Sequence, residues 1–94
     1  MEQVEKYREL IRPILERYFI KKAAIFGSVA KYSATDNSDV DLLIEPSAGF
    51  TLFQMLRLEE EISRVVHRKV DLVEYSALKA SIKKEVLASA ISIL

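Results

Sequence analysis

Two apolar segments separated by a polar stretch constrain the fold more than any other feature of this sequence. Residues 23–28 read Ala-Ala-Ile-Phe-Gly-Ser, and residues 39–44 read Asp-Val-Asp-Leu-Leu-Ile. A short apolar run that stops at a glycine is typical of a buried strand followed by a tight turn. Side chains of a strand alternate between its two faces, so Asp39 and Asp41 share one face, and Val40, Leu42 and Ile44 share the other. The second segment is therefore predicted to be a strand that presents two carboxylates side by side.

The aspartate pair and the turn before it have the chemistry of a metal and nucleotide site. Mg²⁺ prefers oxygen ligands and commonly keeps substrate phosphates in its remaining positions, so paired carboxylates suit it. Gly27 allows the backbone to approach a ligand closely. A helix that begins after Ser28 would direct free N–H groups and the positive end of its dipole at a phosphate. The sequence thus predicts a strand, a phosphate-binding turn and a metal-binding strand in succession.

Gly27-Ser28, followed after ten residues by Asp39-x-Asp41, resembles the signature of the nucleotidyltransferase superfamily that includes DNA polymerase beta. The similarity is greatest to its minimal stand-alone members, the MNT proteins that are paired with HEPN proteins in toxin-antitoxin modules. It extends from about residue 18 to the C-terminus. The resemblance implies that Asp71, within the apolar run 69–73, is the third carboxylate, and that all three aspartates are catalytic and metal-binding.

This resemblance also implies an activity and a partner. The expected reaction moves AMP from ATP to an acceptor hydroxyl with the help of two Mg²⁺ ions. The implied acceptor is a tyrosine of a cognate HEPN toxin, with this protein as the antitoxin. Gly27, Ser28 and Lys31 are the residues expected to bind the nucleotide phosphates.

The loop after the glycine departs from the family pattern. The family commonly continues Gly-Ser-x-Ala-Arg-Gly, whereas residues 27–32 of this chain read Gly-Ser-Val-Ala-Lys-Tyr. Lys31 keeps the positive charge of the arginine but lacks its two-pronged hydrogen bonding. Tyr32 replaces a glycine that can adopt positive φ. The departure favours a second hypothesis, in which the protein is a catalytically inactive antitoxin that neutralises its partner by binding alone. A third, a small-molecule nucleotidyltransferase, would need an added substrate domain or a dimer that supplies one.

Composition limits the size and the partners of the protein. The 94 residues, half of them hydrophobic, are enough for one domain spanning 1–94 and too few for two. Fourteen basic and fourteen acidic residues cancel, so nucleic acid is not an expected partner. The chain has no cysteine, which excludes disulfides, zinc thiolates and a thiol nucleophile. No apolar run approaches the roughly 18 residues of a membrane span, so we expect a cytoplasmic protein, and a homo-oligomer remains open.

Periodicity predicts the remaining elements. Apolar residues at helical spacing over 4–18 predict a helix that Pro13 interrupts. Thr51 and Gln54 form a capping box, so a helix should start at Leu52 and end near His67. Residues 69–74 are predicted as a third strand and 77–88 as a helix, whereas 90–94 fit either a helix end or a short edge strand. A short helix over 29–31 and a loop over 32–38 are expected after the turn. The residues predicted to face inward from the last two long helices are Leu52, Leu56, Leu58, Ile62, Val65, Val66, Ile82, Val86 and Leu87.

The alternation of helices and strands predicts an α/β (α+β) domain with helices packed on a small central sheet. The family resemblance, not the periodicity, implies that the sheet is mixed and that its strands bring Asp39, Asp41 and Asp71 together.

Overall fold

The computed structural model describes residues 2–27 and 39–94, which form a four-stranded mixed sheet covered by helices. The strands lie in the order β3-β2-β1-β4, with β2 parallel to β3 and β1 antiparallel to both β2 and β4. The predicted α/β class with a mixed sheet is confirmed, and the ambiguous C-terminal segment contributes an edge strand. The elements are α1 (Glu2–Arg17), β1 (Lys22–Phe26), β2 (Val40–Glu45), α2 (Leu52–Val66), β3 (Val70–Glu74), α3 (Ala80–Ser89) and β4 (Ile91–Ser92). The predicted helix at 29–31 and loop at 32–38 lie outside the described residues.

Helix α1 runs through Pro13 without a break, so the predicted interruption is wrong. Proline lacks an N–H and leaves the carbonyl four residues earlier, that of Glu9, without its helical donor. Glu9 and Pro13 both lie on the exposed side of the helix, where water can satisfy that carbonyl. The opposite side is anchored in the core by Val4, Tyr7, Ile11, Ile14 and Leu15. Tertiary packing therefore outweighs the local preference of proline.

The main core lies between one face of the sheet and helices α1 and α2. Val40, Leu42 and Ile44 alternate along β2 and are fully buried in this core. Because side chains of a strand alternate, the intervening residues Asp41 and Leu43 belong to the other face of the sheet. The central strand thus packs the core with one set of side chains and carries a carboxylate on the opposite side.

Helix α2 begins with the predicted capping box. The Gln54 N–H donates to Thr51 Oγ1 over 3.2 Å, and the Thr51 N–H donates to Gln54 Oε1 over 2.9 Å. The helix ends at His67, whose φ of 56° lies in the left-handed region and whose N–H donates to the Ser63 carbonyl. Both predicted ends of this helix are confirmed.

The predicted inward faces of α2 and α3 are partly wrong. Leu58, Ile62 and Val66 recur every four residues and are buried, but Leu52 and Leu56 are 71% and 55% exposed. The buried stripe occupies only one side of the helix, and Leu52 and Leu56 lie on another. Helix α3 starts later than predicted, after a 3₁₀ turn at Tyr75–Ala77, and packs against β1. Two of its predicted core residues, Ile82 and Leu87, are exposed, whereas Val86 is half-buried.

Removal of the capping hydroxyl should destabilise the domain measurably. Thr51→Ala leaves the Gln54 N–H without its acceptor, and we expect it to lower the free energy of unfolding by about 1 kcal/mol. For a domain of this size that corresponds to a Tm lower by roughly 4–8 °C in thermal denaturation followed by circular dichroism. Thr51→Ser keeps the hydroxyl and is the control. An alanine variant as stable as the serine variant would contradict a stabilising role for this cap.

Candidate functional site

Strand pairing brings three distant segments of the chain to one end of the sheet. Phe26, the last residue of β1, pairs with Asp41, and Asp41 pairs on its other side with Asp71. Strands β2 and β3 are parallel, so both begin at this end, and the antiparallel strand β1 finishes there. We call the set of Gly27, Asp39, Asp41 and Asp71 the carboxylate end. The structure thus brings the glycine turn and the three aspartates that the sequence singled out to the same end of the sheet.

The three aspartates differ in how they are placed. Asp41 and Asp71 occupy equivalent positions on adjacent strands, and their carboxyl groups are close enough to interact. Asp39 lies immediately before β2 and is half-buried, close enough for its charge to act on Asp41. Asp41 is the centre of the group, because it interacts with both of the others.

Asp41 is held in an environment that opposes its negative charge. Partial burial raises its pKa above the ordinary value of 3.8, and the charges of Asp71 and Asp39 and the hydrogen bond with Asp71 raise this pKa further. Like charges at short range disfavour ionisation unless a cation neutralises them. Carboxylates with pKa values perturbed in this way are common in binding sites and active sites.

Gly27 is required by both its backbone and its neighbour. Its φ of +74° lies in the region that favours glycine. A Cβ at this position would lie 2.4 Å from Asp41 Oδ2 and 3.3 Å from its Cγ. The sequence suggested the glycine for close approach of a phosphate, but it gave no sign of this contact with the carboxylate. The absent side chain therefore leaves Asp41 room to hold its place beside the turn.

The donor set fits a hard divalent cation that completes its coordination with other ligands. Within residues 2–27 and 39–94, no three acidic or histidine side chains are gathered closely enough to hold a metal ion by themselves. Mg²⁺ commonly takes only one or two carboxylates and fills its remaining positions with phosphate oxygens and water. The contacting pair of Asp41 and Asp71, with Asp39 nearby, matches that requirement. Ser28 and Lys31, the other predicted phosphate ligands, lie outside the described residues, and their roles stay predictions.

None of the helices in the described part of the chain has the length and apolar character needed to cross a bilayer.

Comparison with known proteins finds relatives that align with most of this chain. A protein of Methanocaldococcus jannaschii, provisionally named a protein adenylyltransferase, is 32% identical over 91 residues, which cover 97% of this chain and 98% of the relative. The protein adenylyltransferase MntA of Thermococcus cleftensis is 34% identical over 76 residues, covering 81% of this chain and 77% of that protein.

Solved structures show the same fold. A structure provisionally described as a minimal nucleotidyltransferase has a TM-score of 0.83 and 31% identity, covering 96% of this chain and 92% of its own. A more distant structure, at 14% identity, contains a tri-AMPylated HEPN toxin of Shewanella oneidensis in complex with an MNT antitoxin. It matches with a TM-score of 0.73 and covers 97% of this chain and 71% of that chain.

The family model described as polymerase beta, nucleotidyltransferase, matches residues 9–94. This range includes the glycine turn and all three aspartates, so the resemblance first seen in the signature Gly27-Ser28 and Asp39-x-Asp41 is confirmed. The chain belongs to the polymerase beta nucleotidyltransferase family.

Proposed function

We propose that this protein transfers AMP from ATP to a hydroxyl group of a HEPN toxin, most simply a tyrosine, and so acts as its antitoxin in the cytoplasm. The observation that carries the proposal is the contact between Asp41 and Asp71 beside Gly27. Relatives that align over most of the chain are named protein adenylyltransferases, which supports AMP as the transferred group. The AMPylated HEPN toxin found with an MNT antitoxin supports the partner.

Asp39, Asp41 and Asp71 are the residues that would hold Mg²⁺. The family resemblance implies two ions at these carboxylates. They would neutralise the negative charge of the triphosphate. Gly27, Ser28 and Lys31 would position the phosphates of ATP, so that alignment of the reacting groups contributes much of the rate. Burial and the neighbouring carboxylates raise the pKa of Asp41, and a bound cation would offset this repulsion and favour the ionised form.

Asp71 has a second role in this proposal, as the acceptor of a proton. The tyrosine oxygen attacks the α-phosphorus of ATP, the bond from that phosphorus to the pyrophosphate oxygen breaks, and the phenolic proton passes to the Asp71 carboxylate. AMP is left on the tyrosine oxygen and pyrophosphate departs. A carboxylate within hydrogen-bond reach of the hydroxyl is sufficient for this transfer.

A binding antitoxin without chemistry is the rival candidate, favoured by Lys31 and Tyr32 in place of the family's arginine and glycine. One experiment separates the two. A HEPN protein encoded beside this one is incubated with the purified chain, ATP and Mg²⁺, and its intact mass is measured. We expect the mass to rise by one or more AMP units on tyrosine, and we expect EDTA to prevent the rise.

Asp71→Asn is the matched variant in this assay. It should still associate with the HEPN protein, because the change affects one carboxylate and not the outer surface, but it should leave the mass of the partner unchanged. If the parent protein also leaves the mass unchanged and both proteins still neutralise the toxin, the binding antitoxin is the correct function.

A further inference from the structure

A group of exposed apolar side chains lies at the end of the sheet remote from the carboxylates. Phe19, Leu52, Phe53 and Leu56 are 76%, 71%, 81% and 55% exposed, and we call these four residues the apolar patch. Phe19 and Gln54 line one shallow depression, and Phe53, Gln54 and Leu56 line the next. Gln54 lines both depressions and so links Phe19 with Phe53 and Leu56, and Leu52 precedes Phe53 in the first turn of α2. The other exposed large apolar residues that the structure describes, Ile82 and Leu87 on α3, are less exposed.

Phe19 is held in this position against its own backbone preference. It follows the end of α1 with φ of +55°, and the Ile20 N–H donates to the Leu15 carbonyl across it. This arrangement is a common C-terminal helix cap, in which glycine usually occupies the position with left-handed backbone geometry. A bulky residue there costs on the order of 1 kcal/mol of backbone strain, and its exposed ring gains nothing from burial within one chain. Burial of the ring against another molecule would add stability that offsets the backbone strain and the exposure of the ring.

Phe19 is separated from the carboxylate end by the full length of the central strand β2. Ser47 follows β2 and donates a hydrogen bond of 2.5 Å to the Phe19 carbonyl, whereas Asp39 precedes the same strand. Six residues of strand span roughly 20 Å. A molecule bound to the patch would leave the carboxylate end accessible to nucleotide and acceptor.

The size and the rim of the patch match a second copy of this chain. With the exposures given, two phenylalanines and two leucines present on the order of 500 Å² of apolar surface. This area is close to the upper limit for the largest exposed apolar patch of a typical monomeric protein. It is large enough to form the centre of an interface that buries about 800 Å² on each partner. The outward face of the next turns of α2 carries both signs of charge, with Arg57 exposed and an ion pair between Arg64 and Glu60. A rim of mixed sign complements a copy of itself, whereas an acidic or basic partner would favour a rim of one sign.

We propose that two copies of this protein associate through the apolar patch about a two-fold axis, with the first turns of their α2 helices packed against each other in opposite directions. Such an arrangement makes the interface isologous, with the same residues contributed by both copies. The apolar first turns meet at the centre, and the charged later turns extend to the two outer edges, which is the usual division of an interface into core and rim. Both carboxylate ends stay open, whether or not the proposed adenylylation is correct.

Sedimentation equilibrium of the full chain tests the proposal directly. Over a dilution series from millimolar to micromolar protein, we expect a dimer that is twice the chain mass of 10.7 kDa and that dissociates on dilution. Phe53→Glu should weaken the dimer at least about 30-fold, because it places like charges at the centre of the interface. Phe53 is 81% exposed, so the change should leave folding intact. Ile82→Glu on α3 is the matched control and should leave the dimer unchanged.

A mixture of two variants tests whether the same patch lies on both copies. Phe53→Glu and Phe53→Lys should each be monomeric alone and should form a heterodimer when combined. A parent chain that stays monomeric throughout the series, or a Phe53→Glu variant that dimerises as the parent does, would overturn the proposal. Loss of HEPN binding by Phe53→Glu with a monomeric parent would also overturn it and would assign the patch to a different protein.

Discussion

Asp41→Asn is expected to abolish AMP transfer while it makes the metal-free protein more stable. The amide cannot bind a cation as a carboxylate does, and transfer measured from the intact mass of the partner should fall at least about 10²–10³-fold. Without metal, the substitution removes the charge that Asp71 and Asp39 repel and that burial disfavours. An asparagine can also donate a hydrogen bond to the Asp71 carboxylate. We therefore expect a Tm a few degrees above that of the parent in EDTA at neutral pH.

The stability gain should depend on pH in a defined direction. The pKa of Asp41 is raised in the folded protein, so the folded state binds the proton more readily than the unfolded chain. As the pH rises from the ordinary pKa of 3.8 through the raised pKa of the folded state, the contribution of Asp41 to the free energy of unfolding falls. The advantage of Asp41→Asn should thus be full at neutral pH and disappear as pH falls below the unfolded value.

Glu45→Gln is the control for this prediction. Glu45 lies on the same strand and the same face as Asp41 but at the opposite end, and it is exposed. Its amide variant should leave AMP transfer unchanged and should not reproduce the gain in stability expected for Asp41→Asn. A metal-free Asp41→Asn protein that is less stable than the parent at neutral pH would show that the carboxylate pair does not repel.

Gly27→Ala is expected to reduce AMP transfer about 100-fold or more with a smaller effect on folding. The new methyl group would meet Asp41 Oδ2 at 2.4 Å, so the carboxylate must turn away from the position it holds beside the turn. The backbone strain of alanine at a φ of +74° adds a loss of stability on the order of 1 kcal/mol. The rate of mass increase on the partner and the Tm of the variant measure the two effects separately.

Gly49→Ala isolates the contact from the strain. Gly49 has a φ of +87°, but a Cβ there would meet no heavy atom within 4 Å. This variant should lose a similar amount of stability and keep full transfer. Equal activity in Gly27→Ala and Gly49→Ala would mean that the contact between residue 27 and Asp41 does not matter for the reaction.

Features set by local sequence could be predicted, and those set by packing between elements could not. Alternation along β2 placed Val40 and Leu42 in the core and Asp41 on the other face, because a strand offers only two faces. The capping box fixed the start of α2 for a similarly local reason. The pairing of Asp41 with Asp71 came from family resemblance, since no periodicity specifies which strands adjoin.

The predictions that were wrong also concern features set by packing between elements. The break expected at Pro13 would follow from the isolated helix, but burial of the opposite face of α1 holds the helix together. Leu52 and Leu56 were expected inside because they are apolar, yet apolar residues occur on more than one side of α2. Only the position of the sheet shows which side is covered. The contact between Gly27 and Asp41 depends on the pairing of β1 with β2, which no single segment encodes.

The parallel pairing of β2 with β3 has a consequence for how activity is acquired and lost. Asp41 and Asp71 become neighbours only when the chain has crossed over through α2 and laid β3 beside β2. Such pairing is non-local and forms late relative to helices and hairpins, because the intervening loop must close first. A partly folded chain, or one cut within α2, can retain the hairpin of β1 and β2 and still lack the adjoining carboxylate. During degradation in a cell, the first cleavage within α2 would therefore end the activity of this protein, well before the whole chain is digested.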